Sequence, residues 1–215
     1  NSGSGNYKTR DEAIFLKEEG LKYDPDMLIL GYFVNDAEPH SQLRQYGLKR
    51  SSYLYAYLWS KWNAILTKFL PGKRFDNYYH ALYEEGSKTF RDVKKYSEEI
   101  VSCARERDLP LLIAMIPDVR ELDPYPFSLE YGQVKRIFES RKNIEVMDLT
   151  SYFDVKAGPE AYWVSLEDAH PNALAHGIIA DALYPEVVRL IESGKTHKEA
   201  VSERQAGKSP GGISQ

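Results

Sequence analysis

Three predicted strands alternate along the chain with longer stretches of amphipathic pattern. Residues 27–33 form a continuous apolar run, which is typical of a strand covered on both faces. Residues 110–116 are predicted as a second buried strand and residues 144–148 as a third strand. Amphipathic patterns predict helices over residues 10–19, 87–107, 129–140 and from Asn172 onward. This alternation predicts an α/β fold with a mostly parallel sheet, in which ligands bind beyond the carboxyl ends of the strands.

The first and last helices carry recognisable end signals. Thr9 and Glu12 have the spacing of a capping box, with Thr9 as the N-cap, and Gly20 is the predicted left-handed end. Pro171 is predicted to open the last helix, because its missing N–H would have no partner in a first turn. Pro185 is predicted to kink or restart that helix. The residues predicted to be buried by the last helix are Leu174, Ile178, Ile179 and Leu183.

Two further segments set the domain organisation. Residues 51–70 have a helical period with an apolar and aromatic side. We favour a helix packed on the body of the domain; the alternatives are a lid over an apolar substrate and a helix on a membrane surface. From residue 194 the chain is polar and offers little to bury. We therefore expect one α/β domain over residues 1–193 and a disordered tail over residues 194–215.

Composition narrows the range of functions. The net charge of −4 gives no basic surface of the kind that nucleic acids require, so no nucleic-acid partner is expected. No apolar run approaches the length of a transmembrane segment. The single cysteine, Cys103, excludes an internal disulfide and fits a core position of a helix. The chain begins with Asn1 rather than Met, so we expect a preceding segment and leave the cellular localisation undetermined.

The segment 165–172 carries the strongest candidate chemistry. Asp168 lies two residues before His170 on a predicted loop. A carboxylate so placed can hold an imidazole in one tautomer and orientation, as the general base of a hydrolase requires. The alternative is a histidine that caps the last helix, and we favour the catalytic interpretation because of the acidic neighbour. A second histidine, His80, has no acidic or metal-ligand partner at a useful spacing in the sequence.

Three short segments together resemble the SGNH (GDSL-type) hydrolase superfamily. They are residues 1–3, residues 31–36 and residues 168–172. The resemblance covers nearly the whole chain except the tail, and it implies a three-layer α/β/α, flavodoxin-like fold that hydrolyses esters through a serine nucleophile. It also implies that His170 is the general base, that Asp168 orients it, and that the Asn35 amide and the Gly3 N–H form the oxyanion hole. The resemblance implies no metal and no organic cofactor.

The motif that would carry the serine does not occur in the sequence. No Gly-Asp-Ser is present in the 215 residues, and Ser2 and Ser4 do not match the context of the nucleophile. We therefore expect the serine and the first two strands of the family's sheet to lie outside this chain, so that the strand over residues 27–33 has an unpaired edge. The family commonly places the acid three residues before the histidine, which is the position of Glu167, but we favour Asp168.

These observations lead to one hypothesis and two alternatives. The hypothesis is a serine ester hydrolase that acts through an acyl-enzyme on a small-molecule or carbohydrate ester. The first alternative is a carbohydrate O-acetyltransferase, in which the same site uses a sugar hydroxyl in place of water as the acceptor. The second alternative is a non-catalytic binding module that retains the fold. We expect the chain alone to be inactive, because it lacks its nucleophile.

Overall fold

A computed structural model of the chain describes residues 7–39, 75–139 and 141–206 and the positions Leu54, Tyr57 and Leu58, with side chains as far as Ser193. Gly3 and almost all of the predicted helix over residues 51–70 lie outside the described residues. Within the described stretches, no helix has both the length and the apolar character that crossing a membrane requires.

A three-stranded parallel sheet forms the centre of the described residues. Its strands are β1 (Leu28–Tyr32), β2 (Leu111–Met115) and β3 (Ile144–Asp148), in the order β1-β2-β3. Tyr32 lies opposite Met115, and Met115 lies opposite Asp148, so the three strands end level at one edge. Each strand lies within a segment that the sequence predicts as a strand. The predicted α/β class with a parallel sheet is confirmed.

Helices connect the strands and cover the sheet. They are α1 (Thr9–Glu18), α2 (Phe75–Leu82), α3 (Lys88–Glu106), α4 (Ser128–Phe138) and α5 (Ala173–Ala206). Alternate strand residues, among them Leu30, Ile113 and Val146, face the core that α1, α3 and α4 build on one side of the sheet. On the opposite side, Arg189 of α5 pairs with Glu145 of β3 at 3.2 Å. This ion pair places α5 over the second face.

Helix α3 follows its sequence pattern closely. The hydroxyl of Ser87 accepts a hydrogen bond from the N–H of Phe90 at 3.0 Å and so caps the helix. The inward residues Phe90, Val93 and Ile100 are buried, as the amphipathic pattern predicts. Cys103 is also buried on this helix, which confirms its core position.

Strand β1 is the edge of the described sheet. Leu30 and Tyr32 are buried, whereas Ile29 is 51% exposed and Gly31 is exposed on the other face. Strand β2, by contrast, is buried at every position. The second face of the sheet is therefore open over β1. The unpaired edge that the sequence predicts for this strand is present in the described part of the sheet.

A short antiparallel hairpin follows β3 after three 3₁₀ turns (Leu149–Tyr152, Val155–Ala157 and Pro159–Tyr162). The hairpin consists of β4 (Trp163–Ser165) and β5 (Asp168–Pro171). It packs against a second hydrophobic cluster that joins the loop after β2 to the start of α5. The buried members of this cluster are Val119, Leu122, Phe153, Tyr162 and Ala175. The hairpin is thereby held beside the carboxyl end of the sheet.

Helix α1 begins and ends differently from its prediction. Its N-cap is Lys8, whose N–H donates to Asp11 at 3.3 Å. Thr9 is not the cap, because its hydroxyl donates to the Asp36 carbonyl at 3.3 Å instead. Gly20 is not the left-handed end either: it begins a 3₁₀ turn (Gly20–Tyr23), and the left-handed residue is Asp24 with φ 46°. A tertiary contact thus replaces the local cap, and a short polar side chain tolerates the left-handed position.

The start of α5 also corrects the prediction. Pro171 lies in β5 opposite Trp163, and Asn172 caps the helix by accepting from the N–H of Ala175 at 3.0 Å. Leu174 is 56% exposed, and Ala175 occupies the buried position instead.

The later course of α5 differs from the sequence expectation as well. The helix runs through Pro185 without a restart, and its backbone continues to Ala206, within the segment predicted as a tail. The residues of that segment include good helix formers such as Ala, Glu, Lys and Gln.

Candidate active site

Asn35 lies directly beyond the carboxyl end of β1, as the sequence predicts. It belongs to a 3₁₀ turn over Val34–Ala37, which we call the Asn35 turn. The side chain is partly exposed. Its amide makes no hydrogen bond with any described residue. A neutral N–H donor at the edge of a parallel sheet, with no partner among the described residues, is suited to contact a ligand there.

Three hydrogen bonds hold the Asn35 turn in place. The Asp36 carboxylate accepts from the N–H of Phe33 at 2.8 Å and so closes the turn on itself. The hydroxyl of Tyr83 on the segment after α2 donates to the Val34 carbonyl at 2.9 Å. The hydroxyl of Thr9 on α1 donates to the Asp36 carbonyl at 3.3 Å. The position of Asn35 is therefore fixed from three directions.

The start of α1 lies next to this turn. The ammonium of Lys8 is 2.9 Å from the carboxylate of Glu38, at the end of the turn. Gly3, the second predicted oxyanion donor, precedes Lys8 closely in sequence but lies outside the described residues. The described contacts thus bring Lys8, at the start of α1, to the end of the Asn35 turn.

His170 and Asp168 form a hydrogen-bonded pair on the hairpin. The Nδ1 atom of His170 is 2.5 Å from Oδ1 of Asp168, and the backbone N–H of His170 donates to the same oxygen at 3.1 Å. The side-chain hydrogen bond from His170 lowers the pKa of the Asp168 carboxyl. Glu167, the alternative acid, accepts from Ser165 instead. With Nδ1 donating to Asp168, Nε2 of His170 is the ring atom free to accept a proton.

The pair stands on a strand rather than on the predicted loop. Strands β4 and β5 pair with Trp163 opposite Pro171 and Ser165 opposite Asp168. The side-chain amide of Asn172 donates to the carbonyls of Ala161 at 2.9 Å and Trp163 at 3.0 Å. Asn172 therefore joins the base of the hairpin to the start of α5, in addition to capping that helix.

Solvent reaches the pair freely. The side chain of His170 is 87% exposed and that of Asp168 is 47% exposed. An acid–imidazole pair in this setting interacts weakly, because water screens both partners. A water-excluding cover is needed before the pair can act as a strong base.

The indole N–H of Trp163 ties the hairpin to the sheet edge. It donates to the carbonyl of Val119, in the loop after β2, at 2.9 Å. Asn35 follows β1 at that same edge. Within the described residues, no hydrogen bond or ion pair joins Asn35 to His170 or to Asp168. The two groups therefore belong to segments that follow β1 and β3, with the loop after β2 between them in strand order.

A second acid–histidine pair was not found from the sequence. Nδ1 of His80 on α2 is 2.7 Å from Oε1 of Glu130 on α4, an acidic partner that spacing along the sequence does not reveal. The Glu130 side chain is 8% exposed and that of His80 is 40% exposed. The two residues are far apart in the sequence, and only the fold brings them together. Phe127 packs beside the imidazole.

An arginine–aspartate pair on the loop after β2 was also missed. Arg120 contacts both carboxylate oxygens of Asp118, whose side chain is 5% exposed. The guanidinium of Arg120 lies over the ring of Phe75 at 3.6 Å from its centroid. Both groups stand at the carboxyl edge of the sheet, between the Asn35 turn and the hairpin in strand order.

In the part of the chain that the structure describes, no three His, Cys, Asp or Glu side chains converge to hold a metal ion. Comparisons with protein-family models, with curated proteins and with solved structures find no match to this chain.

Proposed function

We propose that this chain carries the acid–base pair and the oxyanion donors of a serine ester hydrolase of the SGNH type. The observation that carries the proposal is the 2.5 Å contact between Asp168 and Nδ1 of His170. This contact leaves Nε2 of the imidazole as the proton acceptor, as the base of a Ser-His-Asp site requires. The position of Asn35 at the same sheet edge supports the proposal.

The proposed mechanism assigns each group one task. His170 accepts the proton of the attacking serine and returns it to the leaving alcohol, while Asp168 stabilises the imidazolium that forms in between. The side-chain amide of Asn35 and the N–H of Gly3 donate to the oxyanion of the tetrahedral intermediate. Water then attacks the acyl-serine by the same proton transfers in reverse. No step needs a metal or an organic cofactor.

The serine of this proposal lies outside the 215 residues, in a segment with the Gly-Asp-Ser motif. The open edge of β1, where Ile29 is 51% exposed, offers a place for further strands of a flavodoxin-like, three-layer sheet. A segment that pairs there would end near the Asn35 turn, because the carboxyl ends of parallel strands share one edge.

The chain alone should not hydrolyse short-chain aryl esters measurably, whereas a protein that also includes the Gly-Asp-Ser segment should. The assay compares the two, each with and without His170→Ala. Robust turnover by the chain alone that is abolished in His170→Ala would show that a serine within these residues attacks. That result would refute the assignment of the nucleophile.

Product analysis separates the hydrolase from the carbohydrate O-acetyltransferase. The serine-bearing protein is incubated with an acetyl donor and a sugar acceptor, and free acetate and acetylated sugar are both quantified. The hydrolase is expected to release acetate that matches donor consumption. Formation of acetylated sugar without a matching amount of free acetate would reject water as the acceptor. If no acetyl donor is consumed, the result would favour the non-catalytic binding module.

A further inference from the structure

Carboxyl groups outnumber the cations around the start of α1 and the Asn35 turn. The carboxyl side chains are those of Asp11, Glu12, Asp36 and Glu38. Lys8 is the buried cation of this group, at 7% exposure, and it is paired with Glu38. Glu38 also accepts a hydrogen bond from the hydroxyl of Tyr79 at 2.8 Å. Lys8 is thereby held at Glu38, and its charge lowers the pKa of both Glu12 and Asp36 without outweighing their burial.

Glu12 and Asp36 are poorly solvated. Asp36 is 6% exposed, and Oε2 of Glu12 is buried without a hydrogen-bond partner in the described residues. Burial raises the pKa of Glu12 to about 7, and the charge on Asp11 adds to the effect. Burial, followed by the charge on Glu12, raises the pKa of Asp36 well above its usual range. Two neighbouring carboxyl groups in such surroundings resist simultaneous ionisation.

The other titratable groups lie on two sides of the pair. On the inner side lie tyrosines whose pKa burial raises well above the usual value, so they remain neutral: Tyr32, Tyr83 and Tyr131. On the outer side, residues of α1, the turn and α3 line a cavity of about 320 Å³. The charged groups of α1 and α3 on this cavity are Arg10, Lys88 and Asp92. The cavity also has Asp36 in its wall, which gives water and protons a route to the pair.

We propose that Glu12 and Asp36 retain one proton between them at neutral pH and act as a positioning pair for Asn35. While that proton is present, α1 packs on the turn without charge repulsion, and Asp36 holds the N–H of Phe33. Loss of the proton places two negative charges side by side in a buried site. The repulsion then separates α1 from the turn and displaces Asn35. The effect on oxyanion stabilisation rests on the proposed function, whereas the pair itself does not.

NMR titration of the ¹⁵N-labelled chain between about pH 5 and about pH 8 tests the pair, since this window brackets the raised carboxyl pKa. The signals followed are the backbone amide of Phe33 and the side-chain amide of Asn35. Both should show one common transition near pH 7. Glu12→Gln cannot ionise and should abolish the transition. The matched control is Glu18→Gln, an exposed position on the same helix, which should retain it.

The proposal is rejected if Glu12→Gln shows the same pH-dependent NMR transition as the unmodified chain. It is also rejected if the Phe33 amide of the unmodified chain shows no transition. Where Glu12→Gln fails to fold, carboxyl ¹³C shifts of the unmodified chain decide: full ionisation of both groups below about pH 5 rejects the proposal. In an active serine-bearing protein, kcat should fall above pH 7 and Glu12→Gln should remove that fall. If the chain shows the NMR transition but the serine-bearing protein does not hydrolyse esters, only the proposed function is rejected. If the serine-bearing protein hydrolyses esters but the chain shows no NMR transition, only the proposed carboxyl pair is rejected.

Discussion

The hydrogen bond between Asp168 and His170 depends strongly on its surroundings. It lowers the pKa of the Asp168 carboxyl and so favours the ionised carboxylate, since hydrogen bonds to a charged acceptor are the stronger kind. The exposure of both side chains weakens this hydrogen bond, because water competes for the same atoms. The pair is therefore positioned by the hairpin, and its strength as a base is set by whatever covers it.

Loss of His170 should raise the pKa of the Asp168 carboxyl towards its ordinary value. The reason is that the hydrogen bond from His170 is the main cause of its lowered pKa. The measurement is a ¹³C titration of Asp168 in the unmodified chain and in His170→Ala. Glu167→Gln is the control, since Glu167 contacts Ser165 and should leave the titration of Asp168 unchanged. A lowered pKa that persists in His170→Ala would mean that another group stabilises the carboxylate.

Individual site residues were predictable where neighbours in the sequence are neighbours in space. Asp168 and His170 lie two residues apart, so one short segment contains both partners. Asn35 was found because it directly follows an apolar strand. His80 and Glu130 were missed, because an ion pair between two distant helices leaves no local pattern. Thr9 was misassigned for the same reason, since its partner Asp36 belongs to another element.

Asn172 has two separable roles in holding the hairpin, and we expect Asn172→Ala to lose both. The variant removes the cap of α5 and the two hydrogen bonds to the hairpin. A lost cap alone costs about 0.5–2 kcal/mol of unfolding free energy. Asn172→Asp keeps a cap acceptor but loses the amide donor, so its stability should fall between that of the unmodified chain and that of Asn172→Ala. Urea unfolding measures all three, and equal stability of Asn172→Asp and Asn172→Ala would show that the cap contributes nothing.

The contact between α1 and the Asn35 turn should make stability depend on pH. The pKa of Glu12 is raised from 4.5 to about 7 in the folded chain, mainly by burial, so the folded state holds the proton more tightly than the unfolded state. The stabilisation is complete below pH 4.5 and is lost as pH rises to about 7. The free energy of unfolding should fall across this window by up to about 1.4 kcal/mol per pH unit.

Chemical unfolding at a series of pH values measures this fall, and the difference from Glu12→Gln isolates the contribution of Glu12. The same slope in Glu12→Gln would assign the pH dependence to other groups.

Strands and hairpin differed in how well the sequence predicted them. Strand β2 follows the prediction fully, since it is buried at every position as a continuous apolar run demands. Strand β1 was predicted as covered on both faces, but Ile29 and Gly31 are exposed on its second face. The hairpin was read as a loop, since Ser165, Glu167 and Asp168 leave it without an apolar alternation. Its stability comes from Trp163 and Asn172, whose partners lie on other segments. A pattern read along the chain does not report such anchors.

For the molecule as a whole, the sheet is the feature that organises the site. Level strand ends place the Asn35 turn, the loop with Asp118 and the hairpin at one edge. The order of apolar and amphipathic segments was sufficient to predict this parallel arrangement. The sequence did not predict how far the second face is covered, because that depends on where α5 packs. The exposed Ile29 on β1 marks the part that the described elements leave open.

A double-mutant cycle on kcat decides whether Asn35 and His170 belong to one active site. In the serine-bearing protein, Asn35→Ala should lower kcat for a short-chain aryl ester by roughly 10²–10³-fold through the lost oxyanion donor. His170→Ala should lower it by roughly 10⁶-fold, as expected for a lost general base. The double variant should be little worse than His170→Ala, because groups that act on one transition state are not additive. Unchanged kcat in Asn35→Ala, with turnover still lost in His170→Ala, would contradict a shared site and with it the proposed esterase.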